Sequence, residues 1–172
     1  MRWNAYMLAG SLALACSPAA LAVEKAADYL SAKGELRERL ELSETRSGFA
    51  GINGSLYEID PDGSWTLSHV AGPGSKGWKE DRVASGKLAR KQLAHLAAEL
   101  ARIELRKLPS HGVARVNPYV IAIRFGKRES VLESGRGKAS EEEDRAIRER
   151  YHGLLEVVRS LCKKPGEKRV PR

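Results

Sequence analysis

The sequence predicts an α+β fold: one domain in which an antiparallel sheet of about five strands carries two main helices on one face, with a short helix in front. Three observations lead there. Two alternating runs flank Pro61-Asp62-Gly63; a β-branched and aromatic run, Pro118 to Phe125, ends at Gly126-Lys127; and two segments, 88–103 and 141–161, carry apolar residues at helical spacing.

Met1 to Ala22 has the pattern of a secretory signal. It has one positive side chain, Arg2, then the apolar run Met7 to Ala15, then Ser17-Pro18-Ala19-Ala20-Leu21-Ala22. Small residues at Ala20 and Ala22 suit a signal peptidase, which places cleavage after Ala22. The run is shorter than the roughly 20 residues needed to span a bilayer. Leu14-Ala15-Cys16 also has lipobox character, although Ala13 stands where that motif usually has Leu. The expectation is therefore an exported protein, periplasmic or secreted, held at a membrane only if Cys16 is lipidated.

Val23, Ala26, Ala27 and Leu30 fit one short helix over 23–34, stopped by Gly34. The main domain then covers 35–162. Its first strand places Leu36, Glu38, Leu40 and Leu42 on one side, with Glu44 to Arg46 as an extension, and stops at Ser47-Gly48-Phe49-Ala50-Gly51. Ser55 to Asp60 and Ser64 to Val70 form the next two strands, with Trp65, Leu67 and His69 on one side. Pro presets φ, Asp bonds its own backbone and Gly accepts positive φ, so Pro61-Asp62-Gly63 predicts a tight hairpin. Ala71 to Ser85, with four glycine or proline positions and several cations, reads as an exposed loop around Trp78, which either folds back on the domain or meets a partner.

Leu93, Leu96, Ala97, Leu100 and Ile103 give the first main helix its apolar face. After the loop Ser110 to Asn117 come the Pro118–Phe125 strand, a two-residue turn and a return strand, Arg128 to Glu133. Ser140 with Glu143 forms a capping box, which starts the last helix. Leu154, Leu155, Val157, Val158 and Leu161 supply that helix's buried side. The remainder, 163–172, is basic and contains Pro and Gly, so it reads as a solvated tail.

The chain carries 30 Lys and Arg against 22 Asp and Glu, net +8; cleavage after Ala22 removes only Arg2 of these, giving +7. The cations are scattered, and with export as the expected fate no nucleic-acid partner is expected. Cleavage also leaves Cys162 as the one cysteine, so no internal disulfide can form; it is either a buried apolar residue or an intermolecular thiol.

No catalytic, metal or cofactor site emerges. The four histidines, at 69, 95, 111 and 152, lie at no ligand spacing, and Gly72 to Gly77 has a proline and the wrong order for a phosphate loop. Glu141 to Asp144 opens a helix, where carboxylates complement the dipole. The expectation is a binding protein, not an enzyme. Its least ordinary feature is Phe49 between two glycines, at a connection between strands. Either Phe49 and Ile52 tuck into the core, or Ser47, Gly48, Phe49, Ala50 and Gly51 form a presented recognition loop, with Trp78 as a second contact.

The Ser47-Gly48-Phe49-Ala50-Gly51 stretch and the element order after it resemble emfourin-type proteins, protealysin-inhibitor-like small bacterial inhibitors of thermolysin-like zinc metalloproteases. Also similar are the Leu93-Leu96-Leu100 helix, the Tyr119 to Phe125 strand and the Leu154 to Leu161 region, so that about Leu40 to Leu161 is covered. The resemblance implies a protein partner, a metalloprotease, blocked by a loop that fills its substrate groove with Phe49 as anchor. The signal, the 23–34 helix, the longer Ala71 to Ser85 loop and the basic tail depart from that pattern. The other reading left open by composition is an envelope-associated module that binds anionic polymers or surfaces without inhibition.

Overall fold

The computed structural model describes residues 26–49, 51–72, 79–112, 118–134 and 142–163. Its centre is a six-stranded sheet, antiparallel at every pairing. The strands are β1 (Leu40–Gly48), β2 (Gly51–Ile59), β3 (Ser64–Gly72), β4 (Lys79–Lys87), β5 (Tyr119–Phe125) and β6 (Arg128–Ser134), in the spatial order β4-β3-β2-β1-β5-β6. Two helices complete it, α1 (Arg90–Arg102) and α2 (Glu142–Leu161). The α+β class therefore holds, with six strands in place of about five.

The added strand is β4, and it corrects the reading of Ala71 to Ser85 as a loop: β3 runs on to Gly72, and pairing resumes at Lys79 opposite Ala71. An edge strand with solvent on both faces needs no apolar alternation, and β4, exposed at every residue but the half-buried Ala84, has none. Its pairing slips between Leu67 and Ser68, which leaves Val83 as a bulge residue. The opposite edge is covered, because His111 donates its N–H to Val131 O (2.7 Å) and accepts at its carbonyl from Glu133 N (2.8 Å).

The first strand also starts later than its pattern suggests. Leu36 is buried but belongs to an isolated bridge with Leu30, and Glu38 is exposed, so the regular ladder begins only at Leu40. The short helix expected over 23–34 begins outside the described residues. What is described of it opens on Ala26 in helical conformation, continues as a turn over 27–29 to the bridge residue Leu30, and reaches Gly34 at φ 76°. The 1–22 segment, the Ser140 cap and 164–172 likewise lie outside the described residues.

Where local chemistry is strong the elements sit as the sequence reads. At Pro61-Asp62-Gly63, Asp60 N donates to Ser64 O (2.8 Å), Ser64 N donates to Asp62 Oδ1 (2.9 Å), and Gly63 takes φ 86°. Lys87 Nζ joins at 2.8 Å, and its ammonium holds the Asp62 carboxyl down at about 2. Gly126-Lys127 turns β5 into β6. At the start of α1, Gln92 Oε1 accepts from Ala89 N (2.8 Å), covering one of the unpaired donors there.

The core forms one cluster. Leu40 and Leu42 of β1, Tyr57 and Ile59 of β2, Trp65 of β3, Ile121 and Ile123 of β5 and Leu132 of β6 meet Leu93, Leu96, Ala97 and Leu100 of α1 and Tyr151, Leu154, Leu155 and Val158 of α2. The strand residues share one parity in the register, so both helices' apolar stripes meet one face of the sheet. Cys162 closes the cluster, 3 % exposed, and burial pushes its thiol up to about 12. It is the buried apolar residue of the two readings. Tyr151 donates its hydroxyl to Pro109 O (2.8 Å) and is likewise pushed up to about 12 by burial.

Candidate functional site

The β1–β2 hairpin is long and straight in register, from Leu40 opposite Ile59 to Gly48 opposite Gly51, with only Phe49 and Ala50 between the last pair. Its neighbours stop short of it. Pairing of β5 ends at Tyr119 opposite Arg46, and pairing of β3 ends at Gly72 opposite Ile52. Among the described residues, the hairpin past Ser47, whose N–H donates to Pro118 O (3.0 Å), stands beyond the pairing of β3 and β5. Gly51 sits at φ 105°, a conformation that a side chain would strain, so it is suited to closing so short a turn.

Phe49 at this tip is fully exposed, at 108 % of its reference area. Ile52 is half-buried, and its register parity puts it on the sheet face away from the helices. Neither residue enters the core cluster, which corrects the reading that both tuck inward. Of the six residues singled out from sequence, Ser47, Gly48, Phe49 and Gly51 come together at the tip. Ala50 and Trp78 lie outside the described residues.

Behind the tip, on the helix side of β1, the side chains turn from apolar to polar in register: Leu40 and Leu42 are buried, then come Glu44, Arg46 and Gly48. Glu44 accepts from the Tyr119 hydroxyl (2.9 Å) and pairs with Arg159 of α2, which also donates to Glu156 (2.7 Å). Burial alone would lower the Arg159 guanidinium, but the carboxylates of Glu156 and Glu44 outweigh it and raise it. Burial, then the hydrogen bond given to the Glu44 carboxylate, pushes the Tyr119 phenol far up. Tyr119 is thus a fixed neutral donor at neutral pH.

Arg46 lies over the Tyr119 ring, its guanidinium carbon 5.4 Å from the ring centroid, and His152 of α2 stacks on the same ring at 5.8 Å with planes 5° apart. Arg46 and His152 are exposed. Sequence reading missed this group. Its signal was available: Glu44 and Arg46 continue the parity of Leu40 and Leu42, so charges fall where the pattern calls for core residues.

Elsewhere the surface offers less chemistry. A groove of about 610 Å³ between 26–32 and α1 is walled by Ala26, Ala27, Leu30, Ala94 and Ala98, with Arg37 beside it. Among the described residues no three His, Cys, Asp or Glu side chains gather as metal ligands. No described helix is long and apolar enough to cross a membrane.

Comparison with protein-family models finds no family that matches this chain, and comparison with curated proteins finds no significant relative.

Proposed function

We propose that this chain is an exported protein-binding domain whose β1–β2 tip docks into a partner, and that the partner is a thermolysin-like metalloprotease blocked by occlusion of its substrate groove. The observation that carries this reading is Phe49: a large apolar side chain, wholly exposed, at the tip of a hairpin rooted in the core. Isolated exposed apolar residues are ordinary on protein surfaces, but an aromatic on a projecting two-residue turn has no packing use there. A preformed hairpin loses little entropy on docking, and a single aromatic in a pocket can dominate an interface.

The protease as target rests on the resemblance of the Ser47-to-Gly51 stretch to emfourin-type inhibitors. Action outside the cytoplasm rests on the Met1 to Ala22 pattern. The test is titration of a thermolysin-like protease with the chain from Val23 onward, beside its Phe49→Ala variant. Stoichiometric inhibition, lost in the variant while its melting temperature is kept, is the expected result. Absence of inhibition across several such proteases would turn the reading to the envelope module for anionic polymers.

A further inference from the structure

Arg46 differs from the arginines of this domain whose guanidinium groups meet a carboxylate or a carbonyl, Arg128 of β6 among them, which donates to Leu105 O (3.1 Å) and Leu108 O (3.2 Å). Arg39 is paired with Glu41, Glu58 and Asp60, Arg124 with Glu41 and Glu129, and Arg159 with Glu44 and Glu156. Arg46 has no carboxylate partner among the described residues, yet it is held in place over the Tyr119 ring. That ring is itself fixed by its hydroxyl on Glu44, by His152 against it and by the strand pairing of β1 with β5. The carboxylate nearest in the register, Glu44, is spent on Tyr119 and Arg159.

The result is an exposed guanidinium with no carboxylate partner among the described residues, three residues from Phe49, about 10 Å along the strand. A surface arginine ordinarily gains by finding a local carboxylate or by swinging in water. One lying over an aromatic ring is biased towards one position and offers a planar fork of donors to an incoming carboxylate.

We infer that the tip reads two features of its partner at once: an apolar pocket that takes Phe49, and a carboxylate cluster on the rim of that pocket that meets Arg46. This rests on the docking role proposed above and adds the partner's charge to it. Phe49 supplies the short-range apolar contact, which resists dissociation and is insensitive to salt. Arg46 supplies a contact that speeds encounter and is screened by salt, with a Debye length of about 10 Å at 0.1 M.

The test is the association and dissociation rates of the chain from Val23 onward with a thermolysin-like protease, measured from low to high ionic strength, for the parent, Arg46→Glu, Arg46→Gln, Arg46→Lys and Phe49→Ala. Arg46→Gln removes the charge while keeping a planar group over Tyr119, and it carries the test where Arg46→Glu does not fold. Expected are association slowed by about tenfold at low salt in the Glu and Gln variants, a flattened salt dependence, and near-parent behaviour of Arg46→Lys. Phe49→Ala is expected to lose binding at every salt concentration. Parent-like rates and salt slope in Arg46→Gln, with Phe49→Ala still defective, would overturn the acidic-rim inference and leave the docking role standing. Failure of the parent itself to bind would overturn both.

Discussion

The two ends of the β1–β2 hairpin are built from the same two strands and live in different environments. At the root, Leu40 faces Ile59 and Leu42 faces Tyr57, all of them buried under α1 and α2. At the other end, beyond Gly48 and Gly51, Phe49 stands in solvent. Between them the Glu44–Tyr119–Arg159 group forms a polar seam where the core ends. The contrast teaches how a small domain can expose an apolar residue without weakening itself. The root supplies the stability, the seam fixes the strand, and the tip is left without a packing duty.

Breaking the root should have the largest effect. Leu42→Ala removes a fully buried side chain, and we expect a loss of about 2–5 kcal/mol in denaturant unfolding, with binding by the remaining folded protein unchanged in affinity. A loss below about 1 kcal/mol would show that the root is not part of the main core.

The seam comes next. Glu44→Ala leaves Arg159 only one carboxylate partner, Glu156, which lies toward solvent, and leaves the Tyr119 hydroxyl without its acceptor. We expect about 1–3 kcal/mol of destabilisation. Tyr119→Phe, which removes one hydrogen bond and keeps the ring under Arg46, should cost about 1 kcal/mol.

Alkaline pH attacks the same buried layer. Cys162 and Tyr151 have folded pKa values pushed up to about 12, above their ordinary 9.0 and 10.0, and Tyr119 is raised as well. The folded state then holds protons that the unfolded chain has released. Stability from these groups is complete below about pH 9 and falls as pH rises toward 12. Melting temperature measured from pH 8 to 11 should decline, and Cys162→Ala should remove part of the slope. Iodoacetamide should label Cys162 in the unfolded chain far faster than in the folded one.

How much of this was legible in the sequence follows from which residues carried local chemistry. Pro61-Asp62-Gly63 and Gly126-Lys127 announce their turns because their conformations depend on those residue types, and the α1 and α2 stripes announce themselves by spacing. Strand β4 was silent because an edge strand exposed on both faces has no pattern to show. The residues of the tip could be named, but their exposure could not: Phe49 in a connection is compatible with tucking inward, and only the register, with neighbours ending at Arg46 and Ile52, decides it. The seam was hidden because Tyr119, His152 and Arg159 are far from Glu44 in sequence and meet only through the pairing of β1 with β5 and the packing of α2.

At the tip the smallest stability effect is expected. Phe49→Ala should change unfolding free energy by no more than about 0.5 kcal/mol, because a fully exposed side chain buries nothing in the fold. A larger loss, in the same denaturant assay, would mean that Phe49 packs on the domain.

The proposal that the hairpin tip docks into a partner has one sharp test. Amide hydrogen exchange of the chain, alone and in excess of an inhibited-by-titration thermolysin-like protease, tests it most directly. Slowed exchange confined to the amides of 47–53 and their neighbours at the ends of β3 and β5 is the expected result. Unchanged exchange at the tip, with protection instead along the groove between 26–32 and α1, would contradict it.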